Sequence, residues 1–234
     1  MYRIVAIVSL ALLICADCAR AQSSTYSASV SFHGGLRQRP LTEAQVRKIL
    51  VDASKMLQMD PDSSGGDVAC NVTLILKGPI RTFSDPTTMR KPETLAVVTK
   101  DNIDAVHAID SDVTDVDFHI KVVKEIDFCR EGLPPGHDVG CSFSKPDFRS
   151  IIVIHPAIHK GPDRLLWAHE FGHITGLGHR DDDPKALMTR CPLRTQFSRI
   201  PDSRVHVTAE ECRHLLAGPG HGSPPPLPGS PTCR

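Results

Sequence analysis

Eleven consecutive residues, His169-Glu170-Phe171-Gly172-His173-Ile174-Thr175-Gly176-Leu177-Gly178-His179, constrain this chain more than any other stretch. On an α-helix, positions four apart share a face, so the rings of His169 and His173 can reach a single ion. Glu170 precedes His173 by three residues and lies on the same side, where a carboxylate can take a proton from water without being a ligand. A glycine at 176 lets the chain leave the helix through a positive φ and swing the imidazole of His179 back to the same point. Three neutral imidazoles leave a fourth tetrahedral position open, as a catalytic zinc requires and a structural zinc does not. The sequence therefore predicts one Zn2+ on His169, His173 and His179, with Glu170 as general base.

The surroundings supply a helix to carry this motif. Gly161-Pro162-Asp163 opens it, with Pro162 suited to a first turn, and Leu165, Leu166, Trp167, Ala168, Phe171 and Ile174 make it apolar nearly all round, hence buried. An earlier amphipathic helix is expected over 42–59. Thr42 and Gln45 form its capping box, and Val46, Ile49, Leu50, Ala53 and Leu57 form one apolar stripe. Short runs rich in β-branched residues follow at Cys70 to Leu76, Thr94 to Thr99, Val116 to Ile126 and Ser150 to Ile154. Alternation in Asp117-Phe118-His119-Ile120-Lys121-Val122 reads as a strand with one wet face, whereas Ile151-Ile152-Val153-Ile154 is apolar on both faces and interior. Thr208 and Glu211 repeat the capping-box pattern at the start of a last helix running to about Ala217. Residues Gln22 to Arg39 are Ser-rich without a clear period, either a flexible lead or a first short strand. The fold class expected is α/β (α+β).

His169-Glu170-x-x-His173-x-x-Gly176-x-x-His179 followed by Met188 resembles the metzincin signature with its Met-turn, and Ala186-Leu187-Met188 resembles the matrixin branch. The resemblance implies a twisted mixed sheet with an early packing helix, an active-site helix, a Met-turn and a C-terminal helix. It implies a zinc metallopeptidase acting on polypeptides, with Met188 as the hydrophobic floor of the metal site. Three features depart from the matrixin pattern. No cysteine lies between Cys18 and Cys70 to serve as a latency switch; nine positions separate His179 from Met188, one more than usual, with Arg180-Asp181-Asp182-Asp183 in the gap; and Thr189 stands where Tyr is usual. The metzincin subfamily is therefore left open. The only tyrosines are Tyr2 and Tyr26, so an astacin-like tyrosine ligand after the Met-turn is excluded. His206 and His214 read as ordinary surface histidines, and Asp181 to Asp183 as a solvated acidic turn rather than a calcium loop. His137 to Phe143 is either the upper rim of the cleft, beside which metzincin substrates lie extended, or a plain disulfide-tied loop.

The amino terminus has a basic start at Arg3, an apolar run from Ile4 to Ile14 and Ala19-Arg20-Ala21, the pattern of a signal peptide over 1–21. That run is short of the roughly 20 apolar residues that span a bilayer, so no membrane insertion is expected. The expected organisation is a metallopeptidase catalytic domain over 22–217 and a Pro/Gly-rich tail over 218–234, secreted into an extracellular or periplasmic space as a monomer. Of the 8 cysteines, Cys15 and Cys18 leave with the signal. The other six make an even set suited to an oxidising compartment. Sequence leaves their connectivity open, the local guesses being Cys129 with Cys141 and Cys191 with Cys212. The formal charge, 27 basic against 27 acidic, becomes 25 against 26, or −1, once Arg3, Asp17 and Arg20 are removed, which gives nucleic acid no electrostatic support. The competing functions are a catalytically silent zinc-binding module and a metal-dependent nuclease. Glu170 and the signal pattern argue against the nuclease.

Overall fold

The computed structural model describes residues 23–36, 41–58, 68–85, 94–129, 138–145, 148–155, 163–180, 183, 185–189 and 205–220. The expected signal peptide, His137, Asp181, Asp182, Cys191 and the tail beyond Gly220 lie outside them.

The fold is mixed α/β, as expected. Its strands are β1 (Ser24–His33), β2 (Val72–Leu76), β3 (Arg81–Phe83), β4 (Val97–Val98), β5 (Phe118–Val123), β6 (Glu125–Ile126), β7 (Gly140–Lys145) and β8 (Phe148–Ile154). Its helices are α1 (Glu43–Gln58), α2 (Ile103–His107), α3 (Asp163–Ile174) and α4 (Ala209–Ala217). The main sheet runs β2-β1-β5-β8-β7, with β3 pairing the far end of β1. All its pairings are parallel except that of β7, which returns antiparallel along β8 and forms one edge. Strands β4 and β6 make a separate parallel pair.

Period-2 alternation decides the layers. Ala28, Val30 and Phe32 of β1, Phe118, Ile120 and Val122 of β5, and Ile151 and Val153 of β8 join the core formed with α1, α3 and α4. Capping begins α1 as expected, Thr42 N–H donating to Gln45 Oε1 at 2.8 Å and Gln45 N–H to Thr42 Oγ1 at 3.3 Å. Helix α4 carries the full capping box on Thr208 and Glu211.

The opposite face differs from the expectation. Every residue of β5 is buried, His119 and Lys121 included, so this strand has no wet face. A second layer of Leu95, Val98, Ile103, Val106 and Ile126 covers that side. The Lys121 ammonium meets Asp110 Oδ2 at 2.9 Å, Asp110 is also bonded by the Ser31 hydroxyl, and Arg81 Nη1 reaches Asp110 Oδ1 at 2.8 Å. One row along, Ser29 Oγ and His119 Nδ1 are 2.8 Å apart. Of the two readings of the Ser-rich lead, the strand is the one observed: β1 runs for 10 residues inside the sheet, with Ser29 and Ser31 buried beside His119 and Asp110.

Among the described residues, two disulfides brace the fold. Cys129 bonds Cys141, with Cα atoms 5.5 Å apart. Cys212 bonds Cys70, with Cα atoms 5.4 Å apart, which corrects the expected pairing of Cys212 with Cys191. Proximity in sequence suggested that pairing; in the fold the segment before α4 docks beside the lead into β2, Val68 N–H donating to Val207 O at 2.9 Å, and brings Cys212 onto Cys70. Gly220 N–H donates to Ile174 O at 3.0 Å, and the Tyr26 hydroxyl donates to Leu216 O at 2.6 Å.

Candidate metal centre

Helix α3 carries His169, Glu170 and His173, and its C-terminus sets the path to His179. Gly176 has φ of 91°. Its N–H donates to His173 O at 3.0 Å and the Leu177 N–H donates to Gly172 O at 3.1 Å, the two bonds of a Schellman ending. A side chain at 176 would strain this turn. The turn also delivers the Leu177 carbonyl to His173, whose Nδ1–H donates to it at 2.9 Å.

The ligand-bearing nitrogens of His169, His173 and His179 lie within 4.8 Å of one another, and among the described residues this is the one cluster able to hold a metal ion. Carbonyl oxygens can only accept, so the bonds from His169 Nδ1 to Leu187 O, 2.7 Å, and from His173 Nδ1 to Leu177 O fix the proton on Nδ1. Each Nε2 is then left as a lone pair facing the cluster, and such backbone partners orient metal ligands. His173 Nε2 and His179 Nε2 stand 3.1 Å apart. All three histidines are only partly buried, so solvent can reach the cluster.

Met188 ends the turn that begins at Ala186, closed by the Thr189 N–H to Ala186 O bond at 3.2 Å. It is fully buried. A Cβ at Gly172 would sit 2.4 Å from the Met188 sulfur, so the glycine inside the histidine motif is what lets the turn close on the helix. The same turn supplies Leu187 O to His169.

Glu170 is 4% exposed and points toward edge strand β7. The Ser142 hydroxyl donates to its Oε2 at 2.6 Å and lies 2.9 Å from its backbone carbonyl. A Cβ at Gly140 would fall 2.2 Å from Oε1, so this position must be bare for the carboxylate to fit. Sequence reasoning left 137–143 as either the upper rim of the cleft or a plain disulfide-tied loop and named neither contact, since nothing in a short Cys-Ser-Phe stretch marks which side faces a helical residue 28 positions later.

The acidic spacer is not merely solvated at its last member. Asp183 accepts from Lys185 N–H at 2.8 Å and pairs with His206 Nδ1 at 2.8 Å and Arg180 Nη1 at 3.4 Å. Partial burial pushes the Asp183 carboxyl upward, but these donors outweigh it and hold it below the ordinary value. His206 is therefore a partner of Asp183 rather than a plain surface histidine, and His214 Nδ1 lies 3.4 Å from Thr175 O.

No protein-family model matches the chain, and no curated protein matches it. Among solved structures it is similar to the crystal structure of metalloproteinase-II from Bacteroides fragilis, at 14% identity and a TM-score of 0.43. That match covers 84% of this chain and 53% of the other, so the chain spans about half the length of that protein. The chemistry of the centre is accordingly read from its own residues.

Proposed function

We propose that this chain is a secreted zinc-dependent endopeptidase in which His169, His173 and His179 hold the metal and Glu170 is the general base. The observation that carries the reading is the convergence of three imidazoles, two with Nδ1 tied to backbone carbonyls, beside a buried carboxylate on the same helix. The donor set fits zinc: bonds of 2.0–2.1 Å at tetrahedral angles would place ligand nitrogens about 3.3 Å apart, against the 3.1 Å between His173 and His179.

When bound, zinc supplies Lewis acidity that makes water acidic near neutral pH and polarises a carbonyl. Glu170, held by Ser142, takes a proton from the attacking water and hands it to the departing amine. Met188 forms the apolar floor under the histidines. A peptide laid extended along β7, which has β8 on one side, gains backbone bonds from the free edge and brings its scissile bond to Glu170. The two disulfides among the described residues support an oxidising compartment.

Glu170→Gln keeps the shape of the side chain and removes its basicity. Cleavage of an unfolded protein by the zinc-loaded variant should fall about a thousandfold while bound zinc, measured by atomic absorption, stays at one per chain. Undiminished cleavage by the variant, or by wild type stripped with a chelator, would sink the mechanism.

A further inference from the structure

We propose that Arg180 is a positioning residue for the third metal ligand, clamping the backbone of His179 onto the Met188 turn and helix α4. The clamp rests on the metal site proposed above, though not on peptide cleavage.

His169 and His173 are placed by a helix, but His179 follows its end, and its ring goes wherever the backbone there is held. Arg180 holds it from four directions. Its N–H donates to Met188 O at 2.8 Å, Nε donates to Glu211 Oε1 at 3.0 Å, Nη2 to His206 O at 3.1 Å, and Nη1 faces Asp183 Oδ2 at 3.4 Å. The guanidinium is 21% exposed and the Glu211 side chain 10%. Each anchor is itself fixed. Glu211 Oε2 accepts the Thr208 N–H at 2.8 Å in the capping box, Asp183 Oδ1 accepts from Lys185 N–H, and the next residue after Glu211 is disulfide-bonded to Cys70.

Freezing a loop-borne ligand before the metal arrives removes an ordering cost from binding, and so raises affinity without adding a ligand. Charge makes the same demand. A lone guanidinium next in sequence to a ligand would repel a divalent cation, whereas one guanidinium between two carboxylates leaves a net negative surrounding. The planar fork of Arg reaches Glu211, His206 and Asp183 together, as a lysine cannot. The extra residue between His179 and Met188 then has a use, since it lets Asp183 fold back onto the guanidinium.

The test is a zinc titration of apoprotein against a chromophoric chelator, read beside the thermal unfolding of each apoprotein. Arg180→Ala should raise the zinc Kd about tenfold, the lower end of what outer partners of metal ligands contribute. Glu211→Gln keeps the capping box, which accepts Gln as well as Glu, and loses the charge and the acceptor facing Arg180 Nε; it should raise Kd about threefold. Ser54→Ala, which removes a buried hydroxyl bonded to Leu50 O and Leu74 N–H on α1 and β2, should lower stability and leave zinc affinity alone. Wild-type affinity in Glu211→Gln and Arg180→Ala would overturn the clamp, as would an equal loss in Ser54→Ala; should Arg180→Ala fail to fold, Glu211→Gln decides. A wild-type chain that takes up no zinc overturns the metal site and the clamp together. One that binds zinc yet cleaves nothing overturns only the peptidase reading.

Discussion

Beneath α1 and α3 the sheet is closed by Val30, Phe32, Ile120, Val122, Ile151 and Val153 against Trp167 and Phe171, while on its other side it is closed over Ser29, Ser31, His119 and Lys121. The first face is a packing surface, tolerant of chemistry because it contains none. The second buries charge, and there Lys121 meets Asp110, Ser31 meets Asp110 and Ser29 meets His119. Burial pushes the Lys121 ammonium down to about 8 despite Asp110. It pushes His119 down to about 4 and His107 to about 3, with the Lys121 charge adding to both. These rings stay neutral and stack on Phe148 and Phe143, with centroids 4.9 and 4.8 Å apart. The metal centre belongs to the apolar side, where a rigid helix can be seated without competing polar partners.

The largest expected effects come from breaking each face by its own logic. Phe171→Ala should cost about 4 kcal/mol by denaturant unfolding, through a cavity under α3. Asp110→Ala should cost a similar 3–5 kcal/mol, roughly, for a different reason, because it strands a buried ammonium. Lys121→Met, which removes the charge and keeps the volume, should stay within about 1 kcal/mol of wild type. Equal losses for Asp110→Ala and Lys121→Met would show that packing alone governs both faces.

Next in size is a variant that touches chemistry and not stability. Gly140→Ala drives a methyl group into the Glu170 carboxylate, and kcat should fall about a hundredfold, the usual consequence of an ångström of misplacement, with zinc still bound. An unchanged kcat would mean that β7 yields easily.

The smallest effect is a pH dependence confined to the polar face. His119 and His107 are depressed in the fold, so their contribution is fully present above about pH 6.5. It is lost as pH falls toward 4, because the unfolded chain binds the protons first. His119 alone should account for a drop of about 2 kcal/mol between about pH 7 and 4.5, and His119→Asn should flatten the profile by that amount. A profile equally steep in that variant would assign the loss elsewhere.

This contrast also explains what was legible in the sequence. Helix α3 and its histidines could be read because ligand spacing, helix periodicity and the glycine ending at 176 all sit in one short stretch. Both capping boxes could be read for the same reason. Strand β1 was obscured because Ser29 and Ser31 look solvated until His119 and Asp110, 90 and 79 positions away, are brought beside them. Gly140, Ser142 and Arg180 are silent in the same way. Their meaning lies in what the fold sets against them, and a glycine that clears room for a carboxylate has no local mark. Cys212 shows the limit of guessing by proximity, since its partner lies 142 positions back.

That long bridge has a consequence for survival under proteolysis. A peptide bond cut anywhere between Cys70 and Cys212 does not release a fragment: the two halves stay covalently joined, α4 remains against the Met188 turn, and the nicked chain migrates as one species until a reductant is added. A chain so tied can be nicked and remain one molecule.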